Sequence, residues 1–485
     1  MNLSSLLKYI DVKETLNFKD VDIKGISYNS NTINSHEIFV CLKGEHVDGH
    51  DFAQGAFEKG AVALMCEKPL NIEIPQIIVE STQESIADLA AAFYHHPTNE
   101  LNLIGVTGTN GKTTVAHLVQ KIFEEDNKKC ALIGTLGYKL SSNDDYLEAK
   151  HTTPQAPQMQ ATLQRILKTE ILNVVTEVSS HALEQFRVKN CNFSTAVFTN
   201  LTQDHLDYHI TMDNYFNAKA KLFSSLKSGN NAIINIDDKY SNKFLSVISN
   251  EVNTITYGVK NSADLMAKNI EFMSDGVSFD CIYKNETVSF KLHLNGMFSV
   301  YNCLAAIGVG LVNGIDLITI KSALEVTRSV AGRFEIVSTN PMVIVDYAHT
   351  PDGLENILRA ARELTPKDAN LICMFGCGGN RDCTKRPKMG KIAQQLCDKI
   401  IITSDNPRQE DPQQIITDIL SGLNLINPKT VFVEPDRRLA INLLKDISSE
   451  NDVLVLAGKG HENYQILKDK TIHFDDREEA LKVFQ

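Results

Sequence analysis

One segment of the chain, LNLIGVTGTNGKTTVAHLVQKIF (residues 101–123), restricts the possible folds more than any other. An apolar strand pattern leads into a loop with three glycines, and an amphipathic helix pattern follows. Glycines allow backbone N–H groups to close around phosphate oxygens, and the helix N-terminus adds its positive dipole end. Lys112 can reach the β and γ phosphates, and the Thr113 hydroxyl can bind Mg²⁺. The common pattern GxxxxGK(S/T) is not fully met, because Val106 occupies its first glycine position. Strand, loop and helix nevertheless occur together and predict an α/β domain that binds a nucleoside triphosphate.

The composition indicates a soluble, acidic protein with several domains. The 485 residues carry 48 basic and 60 acidic side chains, a net charge of −12, and 43% are hydrophobic. At roughly 150 residues per domain, about three domains are expected. The negative charge argues against nucleic acid or an acidic membrane as a partner. The start of the chain lacks a signal-peptide pattern and the ten cysteines are scattered, so we expect a cytoplasmic protein with free thiols.

One uncharged stretch, from Leu294 to Ile315, has the length of a membrane span. It contains three asparagines, one serine and four glycines. A span is more uniformly apolar, so we expect a buried turn and helix here and no contact with a membrane.

Two places along the chain are typical of domain boundaries, HHPTN at 95–99 and the region near 328–340. They predict segments 1–97, 98–330 and 331–485, each of ordinary domain size. The second and third segments alternate strand and helix patterns, as α/β domains do. In such sheets ligands bind beyond the C-terminal ends of the strands. In the third segment four residues fall at those ends, namely Asp346, Gly376, Asp405 and Gly458.

Three further residues are candidates for metal chemistry. Glu177 ends one strand pattern and His205 follows another, where oxygen and imidazole ligands suit a metal bound with ATP; each alone is more often a structural residue. Lys219 shares the apolar face of a helix with Tyr215, whereas Lys221 points to solvent. Burial lowers the pKa of a lysine, and a neutral amine can add CO₂ to form an anionic carbamate that supports Mg²⁺. The alternative is a lysine whose charged end reaches solvent.

Taken in order, the motifs of the chain resemble those of the ATP-dependent Mur ligases of peptidoglycan synthesis. The resemblance covers nearly the whole chain and rests on TGTNGKTT, EVSSHAL, NLTQDHLDYH, YFNAKAKLF, GMFSVYNCLAA, VAGRFE, VDYAHTPD, FGCGGNRD, SDNPR and AGKGHE. It implies three domains: a small N-terminal α/β domain that binds the UDP substrate, a central P-loop ATPase-like α/β domain and a C-terminal Rossmann-like α/β domain that binds an amino acid. It also implies a monomeric enzyme of the cytoplasm that serves cell wall biogenesis, cell shape and cell division.

The resemblance is strongest to the members that add meso-2,6-diaminopimelate or L-lysine to UDP-N-acetylmuramoyl-L-alanyl-D-glutamate through an acyl phosphate. It implies ATP and Mg²⁺ as cofactors. The implied ATP-binding residues are Gly108, Thr109, Asn110, Gly111, Lys112, Thr113, Thr114, Asn302, Arg333 and Asp346. The implied metal site consists of Thr113, Glu177, His205 and carbamylated Lys219 (N6-carboxylysine), and the implied catalytic residues are Lys112, Lys219, Glu177 and His205.

Two further residue groups follow from the resemblance. The UDP substrate would contact Ser30, Thr152, Thr153, Ser179, Gln185 and Arg187. The incoming amino acid would contact Arg381, Asp405, Asn406, Pro407, Arg408, Gly458 and Glu462. One segment departs from the family pattern, because many relatives carry Asp-Ser-Arg where this chain has Asn29-Ser30-Asn31.

The identity of the added amino acid can be argued from charge. Diaminopimelate differs from lysine by a distal carboxylate, which a guanidinium binds through two hydrogen bonds. Lysine would bring only an ammonium to Arg381 and Arg408, so diaminopimelate is predicted. The alternatives are the lysine-adding homologue, a ligase that adds glutamate to folate, and a nucleotide-binding scaffold without ligase activity. The substrate-binding residues argue against the last two.

Overall fold

The computed structural model describes residues 1–44, 47–147, 151–273, 275–424 and 427–484. The chain divides into two compact units. The first comprises Met1–Gly105, Lys129–Ala196 and Ser224–Asn230, and the second comprises Val106–Lys128, Val197–Phe223 and Asn231–Gln485. Both are built from strands and helices in alternation.

The first unit begins with a five-stranded sheet in the order β1-β5-β4-β3-β2, in which β1 is antiparallel to β5 and the other pairs are parallel. The strands are β1 Glu14–Leu16, β2 Gly25–Ser27, β3 Glu37–Val40, β4 Ala63–Cys66 and β5 Gln76–Ile78. The helices are α1 Leu3–Leu6, α2 Ala53–Glu58 and α3 Thr82–Phe93, with 3₁₀ turns at Leu7–Tyr9, Gly49–Phe52 and Pro97–Asn99.

A second sheet has ten strands in the order β15-β14-β13-β12-β11-β10-β6-β9-β7-β8. The strands are β6 Asn102–Thr107, β7 Cys130–Gly134, β8 Gly137–Lys139, β9 Asn173–Glu177, β10 Phe193–Phe198, β11 Asn231–Asn235, β12 Asn253–Gly258, β13 Leu265–Met273, β14 Gly276–Tyr283 and β15 Glu286–Leu292. The helices are α4 Lys112–Glu125, α5 Ala156–Leu167, α6 Ser180–Glu184, α7 Leu206–His209, α8 Met212–Ser224, α9 Ser241–Val247, α10 Met297–Val312 and α11 Leu317–Glu325.

The last part of the second unit is a six-stranded sheet in the order β16-β17-β21-β18-β19-β20, parallel except for β16. The strands are β16 Glu335–Thr339, β17 Met342–Asp346, β18 Leu371–Phe375, β19 Lys399–Ile402, β20 Val431–Val433 and β21 Val453–Ala457, followed by a hairpin of β22 Tyr464–Ile466 and β23 Thr471–His473. The helices are α12 Pro351–Leu364, α13 Arg386–Leu396, α14 Pro412–Leu420, α15 Arg437–Ile447 and α16 Asp476–Phe484, with a 3₁₀ turn at Cys383–Lys385.

Local sequence explains why this sheet is covered on both faces. Alternate residues of β18 enter different cores: Leu371 and Phe375 pack in the core that includes α12 and α13, whereas Met374 packs in the core that includes α15 and α16. A strand buried on both faces is a continuous apolar run, as LICMF is. Helix α12 begins with a hydrogen bond from the Gly353 N–H to the Thr350 side chain and with proline in its first turn, a favourable helix start.

The parallel register brings the C-terminal ends of β17, β18, β19 and β21 to one edge of the sheet. Asp346 ends β17, Gly376 and Gly458 directly follow β18 and β21, and Asp405 follows β19. The strand-end positions expected from the sequence therefore share an edge, as they do in doubly wound sheets.

The uncharged stretch from 294 to 315 forms a turn and helix α10, whose side chains are largely buried in the second unit. The buried turn and helix expected from the sequence are confirmed. Among the residues that the structure describes, we find no helix with both the length and the apolar character needed to cross a membrane.

Candidate active site

The glycine-rich loop joins β6 to α4 and has a conformation that only glycines adopt readily. Gly108 and Gly111 have φ angles of +149° and +87°. A side chain at Gly111 would collide with Oδ1 of Asn302, so the close approach of α10 to the loop requires glycine. The Lys112 ammonium donates to the carbonyls of Gly108 at 2.9 Å and Thr109 at 2.8 Å. The lysine is thus held at the loop beside the N-terminus of α4.

Hydrogen bonds fix the rest of the loop. The Asn110 N–H donates to Asn200 Oδ1 at 2.9 Å, and its side-chain amide donates to Asp352 Oδ2 at 2.7 Å. The Thr109 N–H donates to the Asn200 carbonyl at 2.9 Å. Thr114 is half-buried in the first turn of α4. The loop is therefore attached both to the segment after β10 and to α12.

Lys219 lies on the buried face of α8 and is 1% exposed. Its ammonium donates to the Gly108 carbonyl at 2.8 Å and lies 4.7 Å from the centre of the Tyr215 ring. Burial, with a further contribution from Lys112, lowers the pKa of Lys219 well below its usual value. Lys221 is exposed on the same helix. The placement expected from helical spacing is confirmed, and Lys219 contacts the phosphate loop directly.

His205 belongs to a charged cluster that the sequence did not predict. Its Nε2 lies 3.2 Å from Asp204 Oδ2, and the same buried carboxylate lies 3.6 Å from His349 Nε2 and 3.5 Å from Lys385 Nζ. Burial raises the pKa of Asp204, but His205, Lys385 and His349 outweigh that effect and hold it well below the usual range. Asp204 therefore serves as a shared anionic anchor for the His205 imidazole of the loop after β10 and for the His349 imidazole and the Lys385 ammonium from the C-terminal part of the unit.

The residues expected on the nucleotide from the C-terminal side lie next to the loop. The Arg333 guanidinium donates to the Thr113 hydroxyl at 3.0 Å and stacks over the Tyr347 ring at 4.7 Å. Asp346 accepts backbone N–H groups of Phe334 and Ala348, each at 2.7 Å. Burial raises the pKa of Asp346. In the second unit, the predicted residues at positions 108–114, 302, 333 and 346 thus form one connected group.

The first unit holds Glu177 and all six residues predicted for the UDP substrate. The Glu177 carboxylate is fully buried at the end of β9 and accepts the N–H and hydroxyl of Thr135 at 2.9 and 3.0 Å. The Thr135 and Thr152 hydroxyl oxygens lie 3.1 Å apart, so that Thr135 can accept the Thr152 proton. The Thr153 hydroxyl donates to the Glu177 carbonyl at 2.8 Å and accepts the Ser179 N–H at 3.0 Å. Glu177 therefore belongs to a hydroxyl-rich group in this unit.

Arg187 extends this group. It donates to the Thr153 carbonyl at 3.0 Å and to Gln185 Oε1 at 2.6 Å. Ser30 lies elsewhere in the unit, where its carbonyl accepts the Lys59 ammonium at 2.8 Å. In the departing segment, Asn29 Oδ1 accepts the Asn31 N–H at 2.9 Å, a turn that an aspartate at the same position also supports.

The residues predicted for the incoming amino acid meet at the strand-end edge of the six-stranded sheet. Gly378 follows β18, and a side chain there would touch both Arg408 and Arg381. The Arg408 guanidinium donates to the carbonyls of Gly379 at 2.9 Å and Asn406 at 3.4 Å, and its backbone φ is +54°. Arg381 is exposed. The Arg408 guanidinium and the aliphatic part of the Arg381 side chain therefore border the same glycine.

Behind them lies a buried lysine that the sequence did not single out, although it stands within AGKGHE. The Lys459 ammonium is fully buried and lies 3.4 Å from Asp405 Oδ1, 3.2 Å from Asn406 Oδ1 and 3.1 Å from Glu462 Oε2. Asn406 Nδ2 also donates to Glu462 Oε2 at 2.8 Å. Gly458, directly before it, donates its N–H to the Asp346 carbonyl at 3.0 Å. Pro407 is buried next to this group.

A second buried cation supports the same two strand ends. Arg437 donates to both carboxylate oxygens of Asp476 in α16, at 2.8 and 2.6 Å, and both side chains are 0% exposed. The guanidinium also donates to the carbonyl of Ser404 at 3.3 Å and to that of Ala457 at 3.0 Å. These carbonyls directly precede Asp405 and Gly458, so Arg437 joins the two loops that carry the predicted acceptor residues.

Comparison with known proteins agrees with this arrangement. Residues 22–98 match the Mur ligase family catalytic domain, residues 106–310 the Mur ligase middle domain and residues 332–460 the Mur ligase glutamate ligase domain. Two UDP-N-acetylmuramoyl-L-alanyl-D-glutamate–2,6-diaminopimelate ligases are similar over almost their whole length. That of Clostridium botulinum is 45% identical over 99% of this chain and 98% of its own, and that of Bacillus velezensis is 44% identical over 99% and 98%.

A solved structure of a ligase with the same name has 30% sequence identity and a TM-score of 0.68, and the similarity covers 100% of this chain and 99% of that one. The resemblance seen in the motifs and the predicted class of three α/β domains are both confirmed. The chain belongs to the Mur ligase family.

Proposed function

We propose that this protein is an ATP-dependent ligase that joins meso-2,6-diaminopimelate to UDP-N-acetylmuramoyl-L-alanyl-D-glutamate in the cytoplasmic synthesis of peptidoglycan precursors. The relatives named for this reaction are 45% and 44% identical over 99% of the chain. The observation that carries the proposal in the structure is the charged group at the strand-end edge, where the Arg408 guanidinium donates to the Asn406 carbonyl and the carboxylates of Asp405 and Glu462 lie at the Lys459 ammonium. Such a pocket offers charges of both signs to an amino acid that has two carboxylates and two ammonium groups.

The three predicted segments divide the substrates between them. Segment 1–97 and the hydroxyl-rich group around Glu177 bind the UDP substrate, segment 98–330 binds ATP, and segment 331–485 binds the amino acid. Support comes from the separate hydrogen-bonded groups described above, one of them in the first unit and two in the second.

The ATP-binding role rests on the loop from Gly108 to Thr114. Its glycine conformations, the N-terminus of α4 and the Lys112 ammonium together favour the binding of phosphate oxygens. Arg333, which reaches the Thr113 hydroxyl, adds a second positive charge beside the loop. As negative charge shifts during phosphoryl transfer, these fixed donors stabilise it without having to reorganise.

The chemistry of the donor set fits Mg²⁺. In the second unit, Thr113 offers a hydroxyl and His205 an imidazole. Lys219 fits only after modification: its neutral amine adds CO₂ and releases one proton, which leaves an anionic carbamate. Burial and the neighbouring Lys112 favour the neutral amine that this reaction needs. When bound, Mg²⁺ neutralises phosphate charge.

The reaction forms an amide from a poor electrophile. The γ-carboxylate of D-glutamate attacks the γ-phosphate of ATP, the bond to ADP breaks, and an acyl phosphate forms. The free amine of diaminopimelate attacks the acyl carbon, the amide forms, and inorganic phosphate leaves with a proton released from the amine. In this scheme Lys112 holds the transferring phosphoryl group, and the acceptor residues orient the amine.

The direct test is an ATP-dependent ligation assay that offers diaminopimelate and L-lysine side by side with the UDP substrate. We expect amide product and ADP release with diaminopimelate and little of either with lysine. A clear preference for lysine would contradict the acceptor assignment but not the ligase assignment. ATP hydrolysis or ATP binding with no amide product from either acceptor would favour a nucleotide-binding scaffold.

Arg408→Ala is expected to lower kcat/KM for diaminopimelate roughly 30-fold or more. A buried contact between an arginine and a carboxylate, once broken, leaves a charge unpaired, which typically costs about 2–5 kcal/mol. Lysine lacks the distal carboxylate, so its already low kcat/KM should fall far less. Steady-state kinetics with both amino acids measure the difference, and exposed Arg359→Ala is the matched control. Equal losses for the two acceptors would mean that Arg408 only maintains the shape of the pocket.

A further inference from the structure

In the described part of the chain, the predicted acceptor pocket contains a buried lysine, Lys459. Its side-chain hydrogen bonds all go to residues predicted to contact the acceptor. An ammonium has three N–H donors, and three oxygens surround this one, from Asp405, Asn406 and Glu462, at 3.1 to 3.4 Å. The side chain is fully buried, whereas the side chains of Asp405 and Glu462 keep 11% and 12% exposure. The lysine therefore lies behind the carboxylates, and they lie between it and solvent.

The charges of this cluster decide what it can bind. Two carboxylates and one ammonium, all largely buried, sum to −1. Without the ammonium the pair would carry −2, and two buried carboxylates this close do not both stay ionised readily. Other titratable or charged groups also interact with one or both carboxylates, and among these described residues none is seen to hydrogen-bond both as Lys459 does; they are Tyr347, Cys377, Arg437 and Tyr464.

We propose that Lys459 is a positioning residue for the amino acid acceptor, whose buried ammonium holds Asp405, Asn406 and Glu462 together as an anionic cluster that binds one ammonium group of the incoming amino acid. The proposal rests on the proposed ligase function, since it concerns the pocket assigned to diaminopimelate. Lys459 does not contact the substrate in this scheme; it acts through the two carboxylates and through Asn406, whose amide it also orients.

The ionisation of the Glu462 carboxyl provides a measurement that tests the proposal. It would not change with Lys459 if that lysine had only a structural role. Burial and Asp405 raise the pKa of Glu462, and Lys459 opposes that rise. Removing the ammonium raises the pKa of Glu462 further. When the pH is lowered, the variant therefore loses the ionised form of Glu462 at a higher pH than the wild type does. The acid limb of the pH profile of kcat/KM for diaminopimelate should therefore move to higher pH.

The experiment compares Lys459→Met and Lys459→Gln with the wild-type protein and with Lys470→Met, an exposed lysine that serves as control. For Lys459→Met we expect kcat/KM for diaminopimelate to fall at least about tenfold at pH 7 and the acid limb to move up by about one pH unit or more. The loss should shrink as the pH rises, and the KM for ATP should stay within about threefold. Lys459→Gln keeps hydrogen-bond donors without charge and should show the same shift.

A second substitution tests the charge count. In the Lys459→Met/Glu462→Gln double variant the cluster again carries −1, from Asp405 alone. The acid limb should return towards its wild-type position, although kcat/KM stays low because Glu462 no longer binds the ammonium. An acid limb that stays shifted in the double variant would mean that something other than the carboxylate pair titrates, and the proposal would be wrong.

Other outcomes also overturn the proposal. One is a folded Lys459→Met protein whose acid limb of the pH profile is unshifted and whose KM for diaminopimelate is nearly unchanged. Another is a Lys459→Gln protein with wild-type kcat/KM, because hydrogen bonding without charge would then be sufficient. If the variants do not fold, carboxyl ¹³C NMR of the wild-type protein without acceptor decides: both Asp405 and Glu462 should be ionised at pH 7. This NMR measurement does not depend on ligase activity, so it tests the role of Lys459 even if the proposed function is wrong. A wrong proposed function would instead be seen as wild-type protein that forms no amide product.

Discussion

Lys219→Ala is expected to lower turnover by about a thousandfold while the protein stays folded. The amine of Lys219 is buried against the phosphate loop, 2.8 Å from the Gly108 carbonyl, and its lowered pKa favours the neutral form that reacts with CO₂. Loss of one group that stabilises the charge of a transferring phosphoryl group typically costs about 10²–10³ in kcat. The measurement is ADP release with both acceptor and UDP substrate present, alongside a thermal melt.

A carboxylic acid small enough to enter the space left by the side chain should restore part of the activity of Lys219→Ala. The carboxylate of acetate or formate would take the place of the carbamate oxygens. Chloride at the same ionic strength has no such oxygens and should not restore activity. Lys221→Ala is the matched control, because Lys221 is exposed two residues along the same helix. Turnover at the wild-type level in Lys219→Ala without any additive would remove Lys219 from the mechanism.

Lys112→Ala should reduce kcat by about a hundredfold or more and change the KM for ATP much less. The Lys112 ammonium lies at the loop carbonyls of Gly108 and Thr109. It is therefore already positioned to balance negative charge that develops only as the γ-phosphoryl group moves, and a contact that strengthens in the transition state affects kcat more than binding.

ADP release and the binding of a non-hydrolysable ATP analogue, measured on the same Lys112→Ala sample, separate the two effects. Lys121→Ala, which alters a surface lysine further along α4, serves as the comparison and should behave like the wild type. A Lys112→Ala rate above about a tenth of the wild-type rate, a loss below ~1.4 kcal/mol, would contradict the assigned role.

Features that depend on neighbouring residues in the chain could be predicted from the sequence. The strand patterns MVIVD, LICMF and VLVLA form β17, β18 and β21, because continuous apolar runs suit strands buried on both faces. Helical spacing likewise put Lys219 inside and Lys221 outside α8. The glycines of the phosphate loop were informative for the same reason, since their backbone conformation is a local property.

Features that depend on residues far apart in the chain could not be predicted. Strand β21 pairs between β17 and β18, although it follows both by many residues. Lys459 meets Asp405 across 54 residues, and Asp204 meets Lys385 across a still longer separation. Hydrophobic periodicity does not indicate which charged side chains are buried together. The partners of Lys459, a lysine between two glycines in AGKGHE, therefore could not be predicted from the sequence. Burial and ion pairing had to be read from the folded chain.

The Arg437–Asp476 ion pair makes the end of the chain part of the acceptor pocket in energetic terms. Proteolytic removal of residues 476–484 would leave the guanidinium of Arg437 buried under the pocket with no carboxylate, and the loss of one partner from a buried pair costs about 3–5 kcal/mol. The carbonyls of Ser404 and Ala457 would then lose a firmly held donor. A nick just before α16 should therefore weaken amino acid binding from a distance.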